Sequence, residues 1–125
     1  MYGASAQRGR PAPLLRNHAA RNTLLSENTA VGHGANSGQG GNGGAIYNDG
    51  RLMTLEVAGS ILRDNKANEG GSAIFFVSND ETGSIKIVDS TIQNNPKGAF
   101  ETSGFPGFFI KAKSPPEVIR STIAR

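Results

Sequence analysis

Apolar and polar residues alternate in short runs that recur about every 30 residues along this chain. From Met53 to Val57 every second residue is apolar, which is the pattern of a β-strand with one buried face. The same alternation returns at Ile85 and Ile87, 30 residues after Leu55 and Val57 (55 to 85, 57 to 87). Val118 follows Ile87 at a spacing of 31 (87 to 118). The pattern predicts stacked strands whose aliphatic residues face inward.

A second pattern consists of an aliphatic residue, two polar residues and an asparagine. It occurs three times, with its asparagines 37 residues apart (28 to 65) and then 30 residues apart (65 to 95). Asparagine tolerates the left-handed backbone region, and its amide can bond to the backbone and to the next amide in a stack. The pattern therefore predicts an asparagine column at a recurring corner, beside an aliphatic column in the core; the members are Asn28, Asn65 and Asn95, and Leu25, Leu62 and Ile92.

A third set of strands follows glycine pairs. Gly43 and Gly44 lead into Ala45–Tyr47, and a similar glycine pair precedes Ala73–Phe76. Phe108–Ile110 is the third member that the alignment predicts. Glycines at the entrance to a strand suit turns with positive φ and close backbone approach.

The outward residues of the alternating strands carry charges of opposite sign in neighbouring repeats. In register they read Glu56, Lys86 and Glu117. Strands of a sheet lie about 4.8 Å apart, and opposite charges on neighbouring strands are mildly stabilising. The charge pattern supports the same register as the aliphatic columns.

Asn48-Asp49-Gly50, between two apolar strands, also permits a β-hairpin and hence an antiparallel sandwich. A hairpin pairs successive strands and does not require matching residues to recur along the whole chain. A coil of short strands does require this recurrence, because each side chain stacks on its counterpart one turn later. The recurring columns favour the coil.

These repeats resemble the right-handed parallel β-helices of the pectate-lyase-like superfold. More narrowly, Gly43-Gly44-Ala45-Ile46 resembles the Gly-Gly-Ala-Ile repeats of bacterial polymorphic outer-membrane and other surface proteins, which often carry Phe-x-x-Asn as a second half. This chain has Leu25, Leu62 and Ile92 where that family often has Phe. The resemblance implies an all-β fold, a right-handed parallel β-helix of about three to four coils, in an extracellular or cell-surface protein.

The predicted organisation has two parts. Residues 1–21 are basic and irregular, or form a partial cap, and residues 22–125 form the repeats. A Gly-rich loop at 31–44 holds seven glycines and no charged residue. The last repeat stops before its asparagine, so we expect a fragment of a longer protein, or coils that associate end to end.

Composition excludes several classes of site. The chain has no cysteine, so it has neither disulfides nor thiolate zinc sites. No apolar run approaches the roughly 18 residues of a membrane span, and residues 1–15 lack the apolar segment of a signal peptide. Four arginines and no acid precede residue 22, but no aromatic residues interleave with them, so nucleic-acid binding is not predicted.

Candidate chemistry is sparse. Lyases of the resembled superfold hold Ca²⁺ with a carboxylate cluster and use an Arg or Lys as base. Asp49, Asp80 and Glu81 follow strands of the same type and are the candidate metal ligands under that alternative; otherwise no cofactor is predicted. Phe105, Phe108 and Phe109 are candidates for stacking on sugar rings, against the alternative that they fill the core.

The sequence thus predicts a non-catalytic β-helix repeat module with a structural or binding role, and carbohydrate or another protein as its partner. The alternative is a fragment of a polysaccharide lyase or glycoside hydrolase, because one superfold hosts enzymes, adhesins and inert stalks. Whether the chain is an enzyme stays open at this point.

Overall fold

The computed structural model describes residues 16–33 and 40–125, and the residues in these ranges form strands and no helix. Residues 1–15 and 34–39 lie outside the described part. The strands are β1 (Arg16–Arg21), β2 (Leu24–Ser26), β3 (Thr29–Ala30), β4 (Ile46–Gly50), β5 (Met53–Ala58), β6 (Ile61–Arg63), β7 (Lys66–Ala67), β8 (Ile74–Ser78), β9 (Ser84–Val88), β10 (Thr91–Gln93), β11 (Phe108–Lys111), β12 (Glu117–Ile119) and β13 (Thr122–Ile123).

Each strand pairs with its counterpart about 30 residues away and not with its neighbour in sequence. The sheet orders are β1-β5-β9-β12, β2-β6-β10-β13, β3-β7 and β4-β8-β11. Every strand pair in the described ranges is parallel. The hairpin alternative is therefore wrong, and the chain is an all-β stack of parallel strands, compatible with a β-helix-like solenoid. We call its turns coil 1 (β1–β4), coil 2 (β5–β8), coil 3 (β9–β11) and coil 4 (β12–β13).

The core lies inside the coils and is built from the predicted aliphatic columns. Leu55 pairs with Ile85 and Val57 with Ile87, and all four side chains are buried. Leu62 and Ile92 are fully buried, while Leu25 in coil 1 is partly buried and packs against them. Val118 pairs with Ile87 as predicted but is 40% exposed, because in the described residues no strand lies beyond β12.

The asparagines form a hydrogen-bonded column through three coils. The Asn95 Oδ1 atom accepts from the backbone N–H of Asn65 at 2.9 Å and from its Nδ2 at 3.0 Å. The Asn65 Oδ1 atom accepts from the N–H and Nδ2 of Asn28 at 3.1 and 3.0 Å. Asn65 and Asn95 are almost completely buried. Because buried amides are costly unless paired, the column holds the coils in one register.

A second polar column, of hydroxyl groups, was not predicted. The Oγ atoms of Ser60, Ser90 and Ser121 each accept a backbone N–H from the preceding coil at 3.0–3.1 Å. Each of these hydroxyls also donates to the carbonyl two residues earlier in its own coil, at 2.8–2.9 Å. The spacing of Ser90 and Ser121 was visible in the sequence, but the role of a hydroxyl as a link between coils was not.

Residues 16–21, which the sequence analysis placed before the repeats in the N-terminal segment, form β1. Arg16–Arg21 reads Arg-Asn-His-Ala-Ala-Arg, without the β-branched or aromatic residues that usually mark a strand. It is a strand because all six of its residues pair with Met53–Ala58 of β5. The remainder of the predicted N-terminal segment, residues 1–15, lies outside the described residues.

The extra length of coil 1 lies near the glycine-rich segment. Paired residues are offset by 37 at Ala30↔Ala67 (30 to 67) but by 28 at Ile46↔Ile74 (46 to 74). The nine additional residues (37 minus 28) therefore lie between Ala30 and Ile46, the interval that contains the predicted loop 31–44. Gly41 lies close to the Gly32 backbone, since a Cβ there would be 2.3 Å from the Gly32 carbonyl oxygen, and its own carbonyl accepts the Glu69 N–H of coil 2 at 2.8 Å.

Corners of the coils require left-handed backbone at several positions that are not glycine. Glu27, Asp64 and Asn94 stand at equivalent corners with φ of 60°, 59° and 58°. For an L-residue this region costs about 1–2 kcal/mol, although asparagine and aspartate tolerate it better. Glu27 is exposed and lacks that advantage, so its corner is the most open to improvement.

Replacing Glu27 with glycine should therefore stabilise the protein, whereas replacing it with alanine should not. Both variants remove the same carboxylate, so the difference between them isolates the backbone term. We expect Glu27→Gly to unfold with a free energy about 1 kcal/mol higher than Glu27→Ala, measured by urea denaturation. Equal stabilities would show that the corner is not strained.

Candidate functional site

A concave groove lies on the outer face of the four-stranded sheet β1-β5-β9-β12. It has a volume of about 580 Å³ and runs across all four coils. Alternation places the polar residues there, because Leu55 and Val57 of β5 face the core and leave Thr54 and Glu56 outside. The polar residues that line the groove are Asn17, His18, Arg21, Thr54, Glu56, Ser84, Lys86, Ser114 and Glu117.

The groove carries charges of both signs, and its side chains form hydrogen bonds with one another. The Thr54 hydroxyl donates to Asn17 Oδ1 at 2.6 Å. The Arg21 guanidinium bonds Glu56 Oε1 through Nη2 at 2.7 Å and through Nε at 3.1 Å. Lys86 lies in register between Glu56 and Glu117, as the charge pattern predicted. Hydroxyl, amide and charged groups thus follow one another along the stacking direction, an arrangement suited to hydrogen bonding with an extended polar ligand.

Sequence reasoning found only part of this groove. The column Glu56, Lys86 and Glu117 was identified as a stacking feature, whereas Asn17 and Arg21 fell in the segment predicted to be irregular. The signal that would have found them is the spacing of 37 between His18 and Leu55 (18 to 55), which equals the asparagine spacing of coil 1. This spacing is hard to recognise in the sequence, because β1 has histidine and alanine at the inward positions where β5 has leucine and valine.

The candidate metal ligands lie near one another but are bonded to protein groups. Asp49 accepts from Asn79 Nδ2 at 2.8 Å and from the Tyr47 hydroxyl at 3.3 Å. Asp80 accepts from the Thr82 hydroxyl at 2.7 Å and bonds Arg51 Nε at 3.4 Å. The hydrogen bond from Thr82, with a smaller contribution from Arg51, lowers the pKa of Asp80.

These residues do not fit a calcium site. Glu81 is exposed at a left-handed corner, with φ of 59°. The guanidinium of Arg51 beside Asp80 would repel a divalent cation. In the described ranges, no group of three or more His, Asp or Glu side chains is arranged to hold a metal ion. Asp80 and Glu81 lie in the turn that follows β8, whereas Asp49 lies on the outer face of β4.

The three candidate phenylalanines occupy three different environments. Phe108 is fully buried in the core, and Phe105 packs against that core with its ring 5.9 Å from the ring of Phe108. Phe109 faces outward and stacks on Phe75 at a centroid distance of 5.5 Å. Phe108 has no accessible surface and therefore fills the core, whereas Phe105 and Phe109 are both partly accessible.

The residues predicted to be structural are well placed for that role. A Cβ on Gly44 would lie 2.2 Å from the Ser72 carbonyl oxygen, and Gly43 has a φ of 73°. Their N–H groups bond the carbonyls of Gly70 and Gly71 at 2.9 and 3.1 Å. The glycine pair therefore lets coil 1 and coil 2 approach closely where β4 begins.

Most ion pairs join successive coils. Arg120 bonds Asp89 at 2.6 and 3.1 Å, and this hydrogen bonding is the main reason that the pKa of Asp89 is lowered. Arg125 bonds both oxygens of Glu101, which also accepts the N–H of Gly107 at 3.2 Å. The Arg125 hydrogen bond is the main cause of the lowered pKa of Glu101.

These lowered pKa values predict a loss of stability in acid. A carboxyl group whose pKa is lower in the folded state stabilises the fold above its unfolded pKa, and this contribution is lost as the pH falls through the folded pKa. The melting temperature should fall once the pH drops below about 4.5, the ordinary pKa of glutamate. Circular dichroism melts between pH 7 and pH 3 measure this. Glu101→Gln should melt lower at pH 7 and lose less on acidification; an unchanged pH profile would contradict the assignment.

Comparison with known proteins found no match for this chain. No family model matches it, and no curated protein or solved structure shows significant similarity. Among the described residues there is also no helix long and apolar enough to span a bilayer.

Proposed function

We propose that this chain is a right-handed parallel β-helix module with a structural and binding role and no catalytic activity, belonging to a bacterial surface or extracellular protein. Parallel strands joined by crossover connections are right-handed in about 98% of cases, which supports the handedness. The resemblance of Gly43–Ile46 to repeats of bacterial surface proteins supports the location.

The observation that carries this proposal is that the charged and polar side chains are used mainly to hold coils together. Arg21–Glu56, Arg51–Asp80 and Arg120–Asp89 each join residues 29 to 35 positions apart, which is one coil. The asparagine and hydroxyl columns link the same coils. General acids in enzymes have raised pKa values, whereas Asp80, Asp89 and Glu101 have lowered ones. A carboxyl group with a lowered pKa is ionised at neutral pH, so it is better suited to an ion pair between coils than to donating a proton to a substrate.

The groove is the surface that this module offers to a ligand. Its polar groups of both signs run across four coils with a volume of about 580 Å³. Linear polar ligands, such as polysaccharide chains, fit a groove that is long and shallow. The same groove is the feature that favours the second candidate, a fragment of a polysaccharide lyase or hydrolase, in which Lys86 or Arg21 would act as the base.

The two candidates differ in turnover. The protein is incubated with polygalacturonate, pectin and neutral polysaccharides in the presence of Ca²⁺, and unsaturated products and new reducing ends are followed over time. We expect no product. Product formation that is lost in Lys86→Ala or Asp80→Ala, but kept in Glu81→Ala, would establish the enzyme and overturn the proposal.

Binding is measured separately, by retardation in native gels that contain each polysaccharide. The proposal expects retardation by at least one polysaccharide, and Lys86→Ala is expected to weaken binding in the groove. Free migration in every gel would overturn the binding role.

A further inference from the structure

An outward column of rings crosses the sheet β4-β8-β11. Tyr47, Phe75 and Phe109 are in register on neighbouring strands. Tyr47 and Phe75 are stacked with centroids 4.9 Å apart and planes 4° apart, and Phe75 and Phe109 are stacked at 5.5 Å and 26°. Phe100 meets Phe109 edge-on at 4.9 Å. We call Tyr47, Phe75 and Phe109 the aromatic column.

The aromatic column has two ends: at β11 Phe100 packs edge-on against Phe109, whereas at β4 no further ring meets Tyr47 in the described residues. Phe75 faces outward yet is only 8% exposed, because a ring lies on each side of it. Tyr47 is 54% exposed, because β4 is the edge strand of its sheet and the column ends there in the described residues. One ring face of Tyr47 is therefore left to solvent, whereas the rest of the column presents ring edges.

Hydrogen-bonding groups stand directly beside this free face. Asp49 is two residues further along β4 and so lies on the same outer surface. Its Oδ2 accepts from the Tyr47 hydroxyl at 3.3 Å, and its Oδ1 accepts from Asn79 Nδ2 at 2.8 Å. A carboxylate oxygen has more than one lone pair, so Asp49 can still accept from a ligand hydroxyl at the edge of the ring.

We propose that Tyr47 and Asp49 form a binding site for a neutral sugar ring, separate from the groove. A pyranose has C–H bonds on its face and hydroxyls around its edge. The negative face of an aromatic ring attracts the positively polarised C–H bonds, while a carboxylate accepts strong hydrogen bonds from hydroxyls. Uronic acids are disfavoured, because Asp49 would repel their carboxylate.

A sugar fits this surface better than a protein partner does. A stable protein interface buries roughly 1,000 Å² or more in total, whereas the apolar area here is one free ring face. The next outward position on β4 is the charged Asp49, and Phe75 is already covered by its neighbours. The site therefore has the dimensions of one sugar ring. Hydrogen bonds to Asp49 would hold the hydroxyls at the edge of that ring.

The composition of the chain supplies a direct probe of this site. The chain has two tyrosines and no tryptophan, so in a Tyr2→Phe variant Tyr47 is the only tyrosine fluorophore. This variant is titrated with hexasaccharides of glucose, mannose, xylose and N-acetylglucosamine, and with hexagalacturonate as the acidic comparison. We expect a saturable fluorescence change with at least one neutral hexasaccharide and none with hexagalacturonate.

Calorimetry on the wild-type background then separates the contributions of ring and carboxylate. Tyr47→Phe keeps the ring and should retain most of the affinity, while Tyr47→Ala should weaken binding by about tenfold or more, as expected for loss of a ring that stacks on the ligand. Asp49→Asn should weaken it several-fold. Lys111→Ala is the matched control, since Lys111 lies two strands from Asp49 in the same outward column, and it should leave affinity unchanged. Circular dichroism confirms that each variant is folded.

The Tyr47 site rests on the binding role proposed above and adds a second contact to it. Different experimental results would overturn the site and the proposed function. Sugar binding that is unaffected by Tyr47→Ala but lost in Lys86→Ala overturns the Tyr47 site and leaves the groove as the binding surface. Three other results would also overturn the Tyr47 site. These are equal or tighter binding of hexagalacturonate, no signal with any neutral hexasaccharide, and concentration-dependent dimerisation that Tyr47→Ala abolishes. Turnover of a polysaccharide would instead overturn the non-catalytic role.

Discussion

Replacing Asn95 with alanine is expected to lower the free energy of unfolding by about 3–5 kcal/mol. Its Oδ1 accepts from both the N–H and the Nδ2 of Asn65, and its Nδ2 donates to the carbonyls of Leu62 and Gln93 at 3.0 Å. Asn65 is completely buried; its Nδ2 would keep the Leu25 carbonyl at 3.1 Å, but its backbone N–H would lose its acceptor with no water to replace it. Each unsatisfied buried group costs about 1–3 kcal/mol. Urea denaturation monitored by circular dichroism measures the change.

The exposed end of the same column provides the control. Asn28 is exposed, and its Nδ2 contributes one hydrogen bond, to Asn65 Oδ1. Asn65 Oδ1 would keep the backbone N–H of Asn28 as a donor after Asn28→Ala, so this variant should lose only about 0.5–1.5 kcal/mol. If the two variants cost the same, burial of the column is not what makes it stabilising.

Replacing Phe108 with alanine should cost about 3–5 kcal/mol, the usual cost of truncating a buried phenylalanine. Phe108 is fully buried and belongs to the cluster that contains Ile74 and Phe76. The truncation leaves a cavity in coil 3 that the rigid sheets around it can fill only in part. The change is measured from the shift of the urea midpoint at constant slope.

Phe109 is the matched control for that truncation, since it is the next residue and has the same side chain. Its ring faces outward and contributes mainly contacts with Phe75 and Phe100, each worth about 0.5–1.5 kcal/mol. Phe109→Ala should therefore be clearly less destabilising than Phe108→Ala. The reverse order would mean that the assignment of inner and outer faces in β11 is wrong.

Much of the stack was predictable because its strongest signals are periodic. The predicted pairs Leu55–Ile85 and Val57–Ile87 occur in the structure, and the strands predicted at Ala45–Tyr47, Ala73–Phe76 and Phe108–Ile110 form one sheet. Alternation identifies the inward face of a strand, and a recurring asparagine identifies the same corner in successive coils. These signals do not depend on the lengths of the connecting segments.

The candidate site was less predictable, because it depends on which residues of different coils become neighbours. The offset between paired residues is 34 from β8 to β11 (74 to 108) but 31 from β9 to β12 (86 to 117). These differences arise in turns that carry no periodic pattern. Tyr47 and Phe75 were in aligned strands, yet the free ring face of Tyr47 follows from the position of β4 at the sheet edge.

The sequence by itself determined the repeating strands, the inward columns and the asparagine corners, since each is encoded by a local pattern that recurs. Tertiary structure alone decided that Arg16–Arg21 is a strand, that Ser60 and Ser90 link coils, and that Asp80 is held by Thr82 and Arg51. The physical reason is that these roles come from hydrogen bonds that mostly join residues about one coil apart. Such partners are set by the pairing of whole strands, and the residue types at either end do not specify them.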